Sequence, residues 1–171
     1  LYCGHRIIQQ GEKITLGQEE FAAEVKPFEI SPARKRQPAE KVTEKERAQM
    51  RSGAGKLGWM ARLTRPDLMF AQIEASSNVT RAEVSDLKQL NKAIIRVADT
   101  KSELNIPKLK TDVTSWKIQL FTDAAWQNLN QVGSTGGRVV FISDGKSSFP
   151  VHWASHRLRR VCHSSQAAEI M

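Results

Sequence analysis

The sequence predicts an α+β fold, helical in its middle and β-rich toward its end, and three observations carry that expectation. Two Thr-x-x-Glu capping boxes, Thr43-Glu44-Lys45-Glu46 and Thr80-Arg81-Ala82-Glu83, stand ahead of stretches whose apolar residues recur every three or four positions. From Trp116 the pattern changes to β segments, WKIQLFTDAAW, GRVVFISDG and SSFPVHWASHRLRR, separated by turns rich in Gly and Ser. At the other end, CGHRIIQ and KITL read as two short strands joined by a Gly11-Glu12-Lys13 turn.

Along the chain, the hairpin occupies residues 1–16, and GQEEFAAEVK follows as a short helix. Residues 27–41 form an extended linker, because Pro27, Pro32 and Pro38 oppose regular structure. Its Arg34-Lys35-Arg36 cluster fits a solvated linker, a nuclear-import signal or a phosphate contact. The helices fall within residues 43–99. The first places Met50, Ala54, Leu57 and Ala61 on one face, and this stripe runs through SGAGKLG, which contains G-x-G-x-x-G. That spacing cradles a dinucleotide only after a buried strand, whereas Glu44 to Arg51 is charged helix-former. A nucleotide site is therefore to be abandoned if Gly53 to Gly58 lie within a helix; there, small residues at Gly53, Ala54 and Gly58 would let another element pack closely.

Thr64-Arg65-Pro66-Asp67 opens a further helix, with proline in the first turn where its missing N–H is harmless. The second capping box begins a longer one carrying Val84, Leu87, Leu90, Ile94 and Val97 on its apolar side. ELNIPKLKTDVTS then reads as irregular. Three strands follow as an antiparallel meander, with Asp144-Gly145 as a tight hairpin turn and Ser164-Ser165 as a cap for a final helix.

With 171 residues, 40% hydrophobic and 26% charged, the chain suits one ordinary domain or two small ones and not a fibrous or disordered protein. Its net charge is +8, with 20 basic against 15 acidic residues up to residue 112 and 6 against 3 beyond it, so an anionic partner fits either part. Cys3 and Cys162 make no disulfide framework, and no apolar run approaches the roughly 20 residues that span a bilayer. An intracellular, membrane-free setting is expected. The absence of an initiating Met and of a closing helix stop suggests a chain cut at both ends.

Two carboxylates could carry chemistry. Asp123 ends the first of the three strands and Glu169 lies on the helix after the third; if the two converge, their hard oxygens suit Mg²⁺. The bland alternative is a turn residue and a solvated helix residue. His152, His156, Cys162 and His163 offer a weaker zinc set, because the first pair sits on a strand.

RSGAGKLGWMARLTRPDL, FTDAAW, STGG and WASHRLRRVCHSSQAAEI occur in an order and spacing that resemble the C-terminal part of the polymerase polyprotein of copia-type long-terminal-repeat retrotransposons. The family pattern has RS-x-x-G-x-L, R-P-D-[LI], D-A-[DS]-[WF], S-T-x-G and S-S-x-x-A-E. The resemblance implies a reverse transcriptase thumb and connection over residues 1–112 and a truncated ribonuclease H-like domain over 113–171. It makes Asp123 and Glu169 catalytic ligands of Mg²⁺ or Mn²⁺, with the remaining family acids beyond Met171. LYCGHRIIQ resembles the hairpin after the polymerase's metal-binding Y-x-D-D turn, which is itself missing.

An RNA–DNA hybrid or template-primer would be gripped by Lys56, Arg62, Arg65 and Arg81, while Arg157, Arg159 and Arg160 would line a groove beside the nuclease site. Further partners implied are the missing palm and fingers and the rest of the ribonuclease H segment, in the cytoplasm, the nucleus or both. The parent would hydrolyse the RNA strand, whereas the isolated chain is expected to be inactive or nearly so. An alternative reading is a remnant or domesticated fragment that binds nucleic acid without catalysis.

Overall fold

Contacts in the computed structural model, which describes residues 4–100, 103–129, 133–158 and 162–170, divide the chain into two units. One is helical, Gly17–Glu103; the other joins Leu1–Leu16 to Leu104–Met171 and holds the strands of the described residues, save Gly17 at the end of β2. The N-terminal hairpin thus shares a unit with the β-rich end, where the sequence reading had grouped it with the helices.

The hairpin consists of β1 (Arg6–Gln10) and β2 (Lys13–Gly17), and Gly11 takes φ +59° in its turn, a conformation that L side chains rarely adopt. In the helical unit, α1 (Glu19–Glu24) and α2 (Pro32–Lys35) are short. The second corrects the extended linker: Ser31 caps it by accepting from the Arg34 N–H at 3.3 Å, and Pro32 stands where a helix tolerates proline. Arg34 bonds both Glu46 oxygens, at 3.2 and 2.9 Å, and also Glu40. The guanidinium hydrogen bond holds the Glu46 carboxyl below its ordinary range. Arg34 is accordingly tied to its own fold and is no open phosphate contact.

α3 (Glu44–Leu63) starts at the anticipated capping box. Thr43 Oγ1 accepts from the Glu46 N–H at 3.2 Å, and Glu46 Oε2 accepts from the Thr43 N–H at 2.7 Å. Met50, Leu57, Met60 and Ala61 are wholly buried along its inner face. Gly53 has a packing purpose, since a Cβ there would lie 2.7 Å from the Phe28 ring. Asn91 fixes that ring's backbone by accepting from the Phe28 N–H and donating to its carbonyl, both at 2.8 Å.

A 3₁₀ turn, Pro66–Leu68, leads into α4 (Met69–Asn78), and α5 (Val84–Asp99) buries the expected Val84, Leu87, Leu90, Ile94 and Val97. Each such burial contributes roughly 1.5–3 kcal/mol before chain entropy is counted. The start of α5 differs from expectation by three residues, its cap lying at Glu83 and not at Thr80. Thr80 does not cap it; Asp86 Oδ2 accepts from the Glu83 N–H at 2.8 Å instead. Tertiary pairing claims the preceding backbone, because Val42 N–H donates to Ala82 O at 3.1 Å and Val84 N–H to Glu40 O at 2.9 Å.

In the other unit, β3 (Leu104–Pro107) pairs antiparallel with β2, Leu16 opposite Leu104, to give the sheet β1-β2-β3. The segment expected to be irregular is therefore a strand, and Pro107 is accommodated because β3 is an edge strand. β4 (Lys117–Leu129), β5 (Gly133–Ser143) and β6 (Ser148–Arg157) form the predicted antiparallel meander in the order β4-β5-β6.

Between β5 and β6, Asp144 is nearly buried and its Oδ1 accepts from the N–H groups of Lys146 and Ser147, while Oδ2 accepts from that of Lys110. These backbone hydrogen bonds hold its pKa down at about 2. Asp144 is thus a turn organiser, and it is far less exposed than a surface turn residue. α6 (Ser165–Ile170) is capped as predicted by Ser164, whose Oγ accepts from the Ala167 N–H at 3.1 Å. It packs on β4 through a small cluster of Leu158, Cys162 and Ala168, against which Ala124 and Ala167 rest.

Candidate functional site

The sheet unit brings one predicted pair into the same neighbourhood. β4 carries Asp123 opposite Gly137, and α6 packs over the end of that strand. Glu169 Oε1 accepts from the Ala124 N–H at 3.4 Å, which puts the α6 carboxylate beside the residue that follows Asp123. Both acids are exposed. Strand alternation directs Asp123 to the face opposite Ala124. An ion shared by the two carboxylates would therefore sit at the edge of β4, not on the face covered by α6.

The donor chemistry suits a hard divalent cation such as Mg²⁺, with water completing its shell. Among the described residues, no group of three or more His, Cys, Asp or Glu side chains is gathered for a metal. Asp123 and Glu169 are the two carboxylates in this neighbourhood, and no zinc cluster forms from His152, His156, Cys162 and His163. His152 instead accepts from Arg138 Nε at 3.4 Å, and Cys162 is buried with its carbonyl accepting from Trp126 Nε1 at 2.8 Å.

The predicted cations separate into distinct groups. Lys56, Arg62, Arg81 and Arg157 are exposed. Arg65 is not: it is 4% exposed, with Nε and Nη2 bonded to the Asp67 carboxylate at 2.9 and 2.8 Å. Its remaining bonds run to Thr100, at 2.9 Å to the carbonyl and 2.8 Å to the hydroxyl. The guanidinium holds the Asp67 carboxyl below its usual range. Arg65 therefore clamps the turn before α4 to the end of α5 and is not offered to a duplex. Arg159 and Arg160 lie outside the described residues.

A groove of about 640 Å³ in the helical unit was not anticipated in full. Arg51, Gly55, Trp59 and Arg62 line it from α3, and Gln72 and Ser76 line it from α4. The α3 residues recur at three and four positions, so they form one stripe on the helix, turned away from the buried one. That spacing is legible in the sequence, where the stronger apolar stripe on the opposite face overshadows it and Lys56 and Arg62 stand out as the cations. Nothing lies within 4 Å of a Cβ built at Gly55, and Trp59 is 46% exposed. The stripe combines cations, an open stretch of helix backbone and a large aromatic surface. Gly53 to Gly58 lie wholly within α3, so no phosphate-cradling turn exists there and the dinucleotide reading is set aside.

No helix among the described residues is long and apolar enough to cross a membrane. Comparisons with protein-family models, with curated proteins and with solved structures return no match for this chain.

Proposed function

We propose that the chain is a nucleic-acid-binding fragment of a retrotransposon reverse transcriptase and ribonuclease H. In its full-length parent, the RNA strand of an RNA–DNA hybrid is hydrolysed with Asp123 and Glu169 as metal ligands. The observation that carries this reading is the Glu169 bond to the Ala124 backbone, which brings a helix carboxylate next to Asp123 at the end of an antiparallel strand. A bound Mg²⁺ or Mn²⁺ would supply an activated water and stabilise the leaving oxygen. Asp123 and Glu169 would each hold the ion through one or two carboxylate oxygens, their exposure leaving room for a phosphodiester.

The α3 stripe supports the binding half of the proposal. Arg51 and Arg62 would pair with phosphates, while Trp59 would lie against sugar or base and Gly55 would allow close approach. Such contacts position a duplex without reading its sequence.

Mn²⁺ binding by the whole chain, measured by calorimetry, tests the metal half. Binding is expected in the unaltered protein and lost in Asp123→Asn and in Glu169→Gln; equal binding in all three would remove the nuclease assignment. Hybrid binding and cleavage are measured in parallel. Binding should weaken steeply with salt, and cleavage by this chain should be weak or absent. Salt-sensitive hybrid binding without any carboxylate-dependent metal site would favour the second reading, a non-catalytic nucleic-acid-binding remnant, which the exposed Arg51, Lys56 and Arg62 also fit.

A further inference from the structure

We propose that Gln72 and Ser76 together read the ribose 2′-hydroxyl, so that the groove lined by α3 and α4 takes the RNA strand of a hybrid in preference to a DNA strand. The inference rests on the nucleic-acid-binding reading above and adds a sugar specificity to it.

On the α3 side, Arg51 and Arg62 border the groove with positive charge, Gly55 leaves the helix backbone open and Trp59 presents an aromatic face. None of these distinguishes RNA from DNA, because phosphates and base faces occur in both. The α4 side is different in kind. Gln72 and Ser76 both line the groove, and their i, i+4 spacing puts them on one face of the helix. Gln72 Nε2 donates to Ser76 Oγ at 2.8 Å. Ser76 is exposed, and because its oxygen is the acceptor in that bond, its own O–H proton is left to donate elsewhere.

The unused atom is Gln72 Oε1. Gln72 is only 8% exposed, and this oxygen is closed to solvent without a donor among the described residues. A buried acceptor left unpaired is unfavourable, so the amide gains from any donor that enters the groove. Gly58 makes room for the side chain, since a Cβ there would lie 3.3 Å from Gln72 Cγ and 3.5 Å from Cδ and Nε2. The terminal amide torsion is soft, so turning Oε1 toward the groove costs little. A hydroxyl is the ligand group that fits the pair, because it accepts from Ser76 and donates to Gln72 at once. Phosphate oxygens only accept, the guanine amino group only donates, and deoxyribose has neither function at its 2′ carbon. Helices of A-form character display their 2′-hydroxyls along a wide, shallow minor groove, within reach of side chains.

The affinity of the whole chain for two hybrids of one sequence tests the inference, measured by fluorescence anisotropy without divalent ions so that no strand is cut. One hybrid pairs RNA with DNA; in the other, every 2′-hydroxyl of the RNA strand is replaced by fluorine, which keeps the A-form sugar pucker but has no proton to donate. The unaltered chain is expected to bind the RNA–DNA hybrid about fivefold more tightly than the fluorinated one. Gln72→Met, which keeps the side-chain length, and Ser76→Ala should each cut that preference below about twofold, because either change removes one of the two hydroxyl partners. The salt slope should stay as it was, since no phosphate contact is touched. Circular dichroism establishes that each variant is folded, and Ser76→Ala, at an exposed position, decides the matter if Gln72→Met disturbs the helix. Equal affinity of the unaltered chain for the two hybrids, or a preference that survives substitution in a folded variant, would overturn this inference and leave nucleic-acid binding standing. Absence of salt-sensitive binding to either hybrid would overturn it together with the reading on which it rests.

Discussion

The helical and sheet units handle their apolar residues in opposite ways. In the helical unit Met50, Leu57, Met60, Leu87 and Ile94 are sealed, because the stripes of α3, α4 and α5 face one another. In the sheet unit Ile118, Leu120 and Phe121 are mostly exposed, and the covered region is the small patch beneath α6. A helix needs cover along one stripe only, whereas a strand with apolar residues in both phases needs cover on two faces. The first unit is stabilised by its own packing. The second leaves apolar side chains exposed among its described residues.

The largest test of that contrast is a pair of truncations. Leu57→Ala should destabilise the helical unit by about 3 kcal/mol in urea denaturation, through lost transfer energy and a residual cavity. Leu120→Ala, at an exposed position, should cost no more than about 0.5 kcal/mol. Equal costs would erase the distinction between the units. Next in size, Arg65→Ala should lower stability by about 2 kcal/mol, because it strands Asp67 and two Thr100 groups. It should leave the salt slope of hybrid binding unchanged.

Gly53→Ala is expected to destabilise by about 1 kcal/mol, the clash with Phe28 outweighing the better helix propensity. Gly55→Ala, with open space around it, should stabilise by up to about 1 kcal/mol. Thermal melts of the two variants should therefore move in opposite directions. Arg62→Ala should alter stability by less than about 0.5 kcal/mol, yet reduce the salt slope of hybrid binding by about one.

A further effect concerns pH. The folded-state pKa of Asp144 is depressed to about 2, so its contribution is fully present above the unfolded carboxyl pKa of about 4 and is lost as pH falls through about 2. Asp144→Asn should flatten the acid limb of the stability profile in that window while leaving the neutral limb parallel to the original. An unchanged acid limb would mean that the turn's hydrogen bonds do not favour the carboxylate.

Much of this architecture was legible locally. The Thr43 capping box, the α5 stripe, the three strands and the Ser164 cap each follow from a pattern spanning a few residues, and each appears where it was read. The errors share a cause. Thr80 carries an equally good capping signature, but segment 38–42 pairs with the backbone around Ala82 and Val84 and moves the helix start to Glu83. Pro107 looked like a breaker until β2 supplied a partner that makes its segment an edge strand. Arg65 looked like an available cation until Asp67 and Thr100 enclosed it. For the site, Asp123 and Glu169 could be named from spacing and resemblance, but their approach depends on how α6 docks. The groove's Arg51 and Trp59 have a helical spacing visible in the sequence, but only the packing of α4 beside α3 turns that stripe into a groove.

The amino-acid order alone determined α3, the body of α5 and the strands β4 to β6, because capping and periodicity act between residues that are near neighbours in the chain, whereas α2, β3 and the start of α5 escaped it. It also determined that SGAGKLG belongs to a helix, since the apolar stripe continues through its glycines. Only the tertiary structure decided which polar groups are used up inside the protein and which remain on offer: Arg65 is consumed and Arg62 is not, and the Ala124 N–H is taken by Glu169. Hydrogen-bond partners and solvent exposure are set by residues remote in sequence, and those become neighbours only when the chain has packed.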